Sequence, residues 1–285
     1  MNDLNETIFE IGYRLPLVII KGAGDLATGV AHRLHRAGFP LLMTDLEKPT
    51  AIRRTVAFSQ AVYDGRMTVE GVTAEKAAPA SFQEIHKILA ARHVPVIPGA
   101  DPSWLDSLSS AGFVEATLSK KNTGLTRREG RVTIALGPGY TAGLDADVVV
   151  ETARGHFLGQ LIFEGPASPN TGKPGLIGGY DLERLIKAPA AGMVEFFQAI
   201  GDRVESGQTI GRVGGADIKA AISGVLRGAL QNGLEVPQNF KIGDIDPRPD
   251  AANYIHTPSD KARAVAGGVL EALMGFLFSN GKASG

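Results

Sequence analysis

The sequence predicts an α/β protein built on a parallel sheet, followed by a small all-β module and a closing helix. Three observations carry that expectation. An apolar run near the start passes through a glycine turn into an amphipathic helix; strands and helices then alternate to about residue 185; and from about Ile186 the chain changes to short apolar pieces punctuated by glycine pairs. With 285 residues, 44% hydrophobic and 21% charged, the chain can bury about two cores.

Residues 1–15 read as an N-terminal extension and residues 16–185 as the α/β domain. LPLVIIKGAG has the continuous apolar character of a strand buried on both faces, and DLATGVAHRLHRAGF continues as a helix that stops at Gly38. Between them Gly22, Gly24 and Ala27 fit G-x-G-x-x-A. There the absent side chains permit the turn, the approach of a pyrophosphate and close packing of helix on strand, with the helix N–H groups facing the anion. The next apolar run, PLLMTD, ends in Asp45, about 20 residues after the second glycine, where an acid would hold ribose hydroxyls. Together these features predict a Rossmann-like nucleotide-binding domain. Asp25 brings negative charge to the anion site or else caps the helix, and Arg53 and Arg54 either attract a phosphate or form a solvated face. NAD, NADP and a molybdopterin dinucleotide all stay open as the cofactor.

Further alternation supplies the rest of the domain: SFQEIHKILAARH as a helix, HVPVIPG as a strand, and GFVEATLSKKNTG as a strand with a basic end. Lys120, Lys121 and Asn122 then stand beyond a strand's carboxyl end, where open α/β sheets bind ligands. The loop ALGPGYTAG places Gly137, Gly139 and Thr141 after another strand, either as a ring of backbone donors or as a turn-rich connection. His156, beside Arg154 in ETARGHFLG, is a candidate for proton transfer, as is Lys120. His32 and His35 fall along the first helix, and the six histidines show no metal-ligand spacing.

Composition removes several function classes. The 29 basic and 30 acidic residues leave a formal charge of −1, so there is no positive field to hold nucleic acid. No apolar run reaches the length of a membrane span, and MNDLNETIFE lacks the pattern of a secretory signal; a cytoplasmic location is expected. The chain has no cysteine, which excludes disulfides, thiolate ligands and any sulfur or selenium relay on its own thiols. A homo-oligomer stays open.

Residues 186–250 read as the all-β module. IKAPAAGMVEFFQAIGDRVESGQTIGRVGG and the following DIKAAISGVLRGALQNGLEVPQNFKIGDIDPR repeat one order of turn, strand, polar turn and glycine-rich strand. The paired pattern resembles the barrel-sandwich hybrid of biotinyl and lipoyl carrier domains, although Lys219 is displaced from the carrier position and has no methionine beside it. Residues 251–285 read as a helical segment, opened by Pro258 and Ser259. Gly267 and Gly268 inside it imply close approach of another backbone or of a ligand; for Asp260 and Lys261 at its start, capping and solvation are simpler accounts than a ligand contact.

KGAGDLATGVAHRLHRAGF, EKPTAIRRTVAF, ALGPGYTAG, ETARGHFLG, KIGDIDPR and PSDKARAVAGGVLEA together resemble the accessory and maturation proteins of the selenium-dependent molybdenum hydroxylase system, the YqeB-like family, over nearly the whole chain. The resemblance implies a protein that prepares or inserts the molybdenum cofactor, with the hydroxylase or its cofactor-assembly proteins as partners. It makes Gly22, Gly24, Asp25, Arg53, Arg54 and the Gly-Pro-Gly loop family motif positions. The competing expectation is an NAD(P)-dependent oxidoreductase in which His156 or Lys120 supplies a proton.

Overall fold

The computed structural model describes residues 8–100, 104, 105, 108, 110–172 and 175–278. The first seven residues of the expected extension, Lys173 and Pro174 near the expected boundary, and the last seven residues of the expected C-terminal segment lie outside the described residues. The chain forms two compact units: residues 1–49, 58–170 and 258–285 make the first, and residues 50–57 with 171–257 make the second. This differs from a linear division at 185 and 250, because the closing helix belongs to the first unit and a short early segment to the second.

In the first unit β1 (Val18–Lys21), β2 (Leu41–Asp45), β4 (Val72–Lys76), β5 (Val94–Pro98), β6 (Gly112–Glu115), β7 (Thr133–Leu136) and β9 (Val148–Val150) run parallel. β3 (Arg66–Val69) and β10 (Leu161–Ile162) close the two edges antiparallel, and β8 (Thr141–Ala142) pairs with β11 (Gly165–Pro166) in a separate ribbon. Four helices are described: α1 (Asp25–Arg36), α2 (Ala61–Asp64), α3 (Phe82–Ala90) and α4 (Asp260–Phe278). Alternation along β1 divides the core. Val18 and Ile20 join Val30 and Leu34 of α1 and Val265 and Leu273 of α4 on one face, whereas Ile19 joins Ile85 and Leu89 of α3 on the other. Burial on both faces is why these strands are nearly all apolar. Residues 8–15 are part of this packing: Ile8 and Tyr13 are buried with the α3 face.

The strand order is β10-β9-β7-β6-β1-β2-β5-β4-β3, and it corrects the expected fold. In a Rossmann sheet the third strand lies next to the second; here β5 takes that place and pushes the β3–β4 hairpin to the edge. The connections after β6 and β7 carry no described helix, and α4, from the end of the chain, covers β7 and β9 instead. The protein is thus a mixed α/β fold with one large parallel-rich sheet and several small antiparallel sheets, in place of a Rossmann-like domain with a carrier-type module.

The second unit is all-β. One four-stranded antiparallel sheet has the order β12-β19-β17-β14, formed by Leu185–Lys187, Lys241–Asp246, Gly224–Ala229 and Arg203–Val204. The other has the order β16-β15-β13-β18, formed by Ala216–Lys219, Thr209–Val213, Gly192–Phe196 and Glu235–Val236. They share a core that includes Val194, Ile210, Val213, Leu226 and Ile245. Lys219 lies within β16, opposite Thr209, and the hairpin tip is Gly214–Gly215. Among the described residues no helix is long and apolar enough to cross a membrane.

Candidate functional site

In the first unit, Lys21, Asp45, Glu115 and Glu151 stand at or just beyond the carboxyl ends of β1, β2, β6 and β9. The chain leaves β1 toward β2 and later returns to β6 on the other side of β1. Such a reversal opens a crevice beyond the strand ends, where ligands of open α/β sheets bind. Glu115, fully buried, pairs with Lys21 (Nζ to Oε2, 2.9 Å) and accepts hydrogen bonds from the Thr117 amide (3.1 Å) and hydroxyl (2.6 Å). Gly22 has φ +100°, and a Cβ there would stand 3.0 Å from the Ala116 carbonyl carbon, so the turn depends on glycine.

Asp45 is used inside this loop. Its two oxygens accept from the amides of Ala23 (2.8 Å) and Leu46 (2.7 Å); burial pushes its pKa up, against the pull of those two bonds. In this geometry Asp45 shapes the loop, each of its oxygens taking one backbone amide. Gly24 is extended, with no atom within 4 Å of the position a Cβ would take, and no side chain caps α1. The carboxylate of Asp25, in the first turn, accepts from the Leu26 amide (2.9 Å).

A second helix start stands beside the first. Gly29 meets Ala262, its would-be Cβ 2.8 Å from the alanine Cβ, and four residues on Arg33 lies over Gly267. Contacts that advance together along both helices mean that α1 and α4 run side by side in the same direction. The amino-terminal turn of α4, capped by Ser259 through the Ala262 amide (3.1 Å), therefore neighbours that of α1. Lys261 in that turn is half-buried. Burial lowers its pKa and Arg154 lowers it further, while Asp25, Glu151 and Asp260 pull it back. Arg154 makes a two-point pair with Asp260 (2.6 and 2.9 Å). Glu151, which burial would push up, is held below its ordinary value by hydrogen bonds from Ala153, Ser168 and Thr152. The arrangement is a cation between carboxylates at two helix starts, with a free approach over Gly24.

The other expected residues separate into two groups. Lys120 and Asn122 meet the loop of Gly137, Gly139 and Thr141: a Cβ on Gly139 (φ +105°) would lie 2.4 Å from the Lys121 amide nitrogen. Asn122 is committed to structure, donating to Leu125 O (3.0 Å) and Asp145 Oδ1 (2.9 Å) and accepting from Gly124 and Leu125. The Thr141 amide donates to Asp145 (2.8 Å), and the Gly137 amide to Val150 O (2.9 Å). These loops brace each other, and the Gly137 and Thr141 amides are spent within the fold.

Arg53 and Arg54 belong to the second unit. Arg53 is buried and donates to the carbonyls of Tyr254 and Thr257 (both 3.3 Å), and Arg54 to Ala229 O (2.7 Å) and Gln231 (3.1 Å). They fasten residues 50–57 to that unit. His156 is exposed, its ring edge-on to Phe157 at 5.2 Å. Sequence reasoning gave no role to Lys21, Glu115 or Glu151 and preferred capping and solvation as the account of Lys261. The available signal was that polar residues end otherwise apolar strands.

No family model matches the chain. Solved structures with some likeness are an aspartoacylase family protein from Mesorhizobium loti (12% identity, TM-score 0.25, covering 81% of this chain and 85% of that one), a succinylglutamate desuccinylase/aspartoacylase from Rhodobacter sphaeroides (12%, 0.29, 82% and 86%), and an ectoine utilization protein from Ruegeria pomeroyi (10%, 0.25, 82% and 86%). In sequence the chain is similar to the uncharacterized protein YqeB of Escherichia coli (strain K12), 51% identical over 268 residues that cover 94% of this chain and 49% of that protein, so it spans about half the length of the curated relative it matches.

Proposed function

We propose that the chain binds a phosphate-bearing, nucleotide-type cofactor beyond the carboxyl ends of β1, β6 and β9, and that it serves as an accessory protein in the maturation of a molybdenum hydroxylase. The observation that carries the binding is the pairing of two helix starts around Lys261 beside the open backbone of Gly24. Amide groups at helix starts and a partly desolvated ammonium both favour an anion, and Lys261 offsets the carboxylate of Asp25 that would otherwise repel it. An ionisable group perturbed by burial among charged partners in a crevice is a mark of functional sites.

The accessory role follows from the resemblance noted in the sequence; the likeness to YqeB supports the kinship and assigns no activity. Among the described residues no group of three His, Asp or Glu is placed to hold a metal ion. With no cysteine of its own, the chain leaves sulfur or selenium chemistry to a separate donor. Its partners in this reading are the hydroxylase or the cofactor-assembly proteins.

Thermal unfolding of the wild type with NAD(H), NADP(H) and molybdopterin dinucleotides tests the reading, alongside Gly24→Asp and Lys261→Ala. A ligand present at about 100 times its Kd stabilises by about 2.7 kcal/mol. Stabilisation by the pterin dinucleotides, lost in both variants, is expected. Stabilisation by NAD(P)(H) alone would favour the oxidoreductase, and no stabilisation by any of them would remove the site.

A further inference from the structure

On a face of α1 and α4 lined by none of the crevice residues, a cleft of about 370 Å³ lies between Gly29–Arg36 of α1 and the beginning of α4. Gly29, His32, Arg33, Arg36, Pro258 and Arg263 line it. The close crossing at Gly29 forms its floor, and the guanidinium of Arg33 lies 3.9 Å from the position a Cβ of Gly267 would take. Those glycines therefore have a physical use: they bring two helices together and leave space above the crossing. A cleft of this size falls within the range of small-molecule sites, about 300–1,000 Å³.

Its charge is one-sided. Three guanidinium groups face one carboxylate, Glu70 in the turn between β3 and β4. Glu70 takes Arg263 at 2.5 Å and lies 3.7 Å from His32 Nε2, which also approaches the Glu70 carbonyl at 3.4 Å. The side chains of Arg33 and Arg36 are exposed and hold no ion pair among the described residues. Basic residues in the last turn of a helix offset its dipole, which accounts for Arg33 and Arg36 taken alone. It does not account for Arg263, which sits in the first turn of α4, where the dipole disfavours a cation.

We infer that this cleft binds a small molecule carrying two or more adjacent phosphate groups, at a site separate from the strand-end crevice. Guanidinium groups offer paired N–H donors that match phosphate oxygens. Arg33 and Arg36, three residues apart on one helix, clasp one phosphate, and the next reaches Arg263, displacing or sharing the contact with Glu70. Glu70 is then the internal anion that holds Arg263 in place when the ligand is absent.

Calorimetric titration of the whole chain with inorganic pyrophosphate and tripolyphosphate, with orthophosphate and citrate as controls, tests the inference. Both oligophosphates should bind more tightly than either control. The double variant Arg33→Ala/Arg36→Ala should weaken pyrophosphate binding at least tenfold while its thermal unfolding stays close to wild type, because both side chains are exposed and neither holds an ion pair among the described residues. Arg263→Gln should weaken it independently, and Glu70→Gln should tighten it. Equal affinity for citrate and pyrophosphate, or binding insensitive to both arginine changes, would overturn the proposal. If Lys261→Ala abolishes pyrophosphate binding and the arginine variants do not, the anion sits at the strand ends; the cleft is then refuted and the crevice reading stands.

Discussion

Two charged clusters, one in each unit, use the same side chains to opposite ends. In the second unit Asp244 and Asp246, at the end of β19, are fully buried and enclosed by arginines. Arg184 meets Asp244 at 2.5 Å, Arg227 pairs with Asp244 and reaches Asp246, and Arg248 makes two bonds to Asp246 (2.9 and 2.6 Å). Each carboxylate oxygen has a cationic donor. In the first unit Lys261 stands in the fields of Asp25, Glu151 and Asp260, beside an open glycine backbone. The closed cluster spends its charges on the fold, and the open one sets a half-buried ammonium at two helix starts. Buried charge thus serves the fold in the second unit, whereas in the first it shifts a half-buried lysine beside accessible backbone.

The largest effect should come from breaking the closed cluster. Asp244→Ala leaves Arg184 and Arg227 without their carboxylate in a buried setting, and removal of one partner from a buried pair costs about 3–5 kcal/mol. Denaturant unfolding should show that loss; a change below about 1 kcal/mol would mean that water replaces the carboxylate there.

Gly139→Ala should come next. The position needs φ +105° and its new methyl would meet the Lys121 backbone at 2.4 Å. Overpacking of this kind costs about 1–3 kcal/mol. If the loops brace each other as described, unfolding stability falls; a ligand-binding loss at unchanged stability would restore the ring of donors expected from the sequence.

Acid should affect the closed cluster through Asp246. Burial alone would raise its pKa, but the Arg248 bonds prevail and hold it below the ordinary 3.8. A carboxylate depressed in the folded state contributes stability that is present above 3.8 and is lost as pH falls through its folded value. Asp246→Asn should therefore lower stability at neutral pH and flatten the acid limb below about pH 4, measured by urea unfolding across pH. An acid limb unchanged by the substitution would assign it to other carboxylates.

The sequence made the first strand, glycine turn and helix legible because each depends on local chemistry: an apolar run, residues without side chains, and helical spacing. Asp45 was legible as a strand end, but its engagement with the Ala23 and Leu46 amides was not, since a carboxylate that serves a ribose and one that serves a loop occupy the same place in the chain. The insertion of β5 beside β2 is a choice among apolar strands of similar character, made by packing between distant segments. For the same reason Arg53 and Arg54 looked like phosphate ligands: their carbonyl partners at Ala229, Tyr254 and Thr257 are far away in the chain. Lys261 had the same disguise, because nothing in its local sequence tells that α4 returns to stand beside α1.

The smallest stability effect, and the sharpest test of the open cluster, should come from Arg154→Ala. The pair with Asp260 is solvent-exposed on both sides, and such pairs contribute about 0.2–1 kcal/mol. The charge of Arg154 nevertheless lowers the pKa of Lys261, while Asp25 raises it. Arg154→Ala should thus move Lys261 up toward its ordinary 10.5, and Asp25→Asn should move it further down. Lysine-selective NMR titration reads both shifts. Since Lys261 is depressed in the folded state, the unfolded chain binds the extra proton, and stability should rise with pH between the folded value and 10.5, less steeply in Arg154→Ala than in wild type. Opposite shifts would show that the two helix starts share one electrostatic field, whereas an unmoved Lys261 in both variants would mean that burial alone sets it and that the crevice has no common cation.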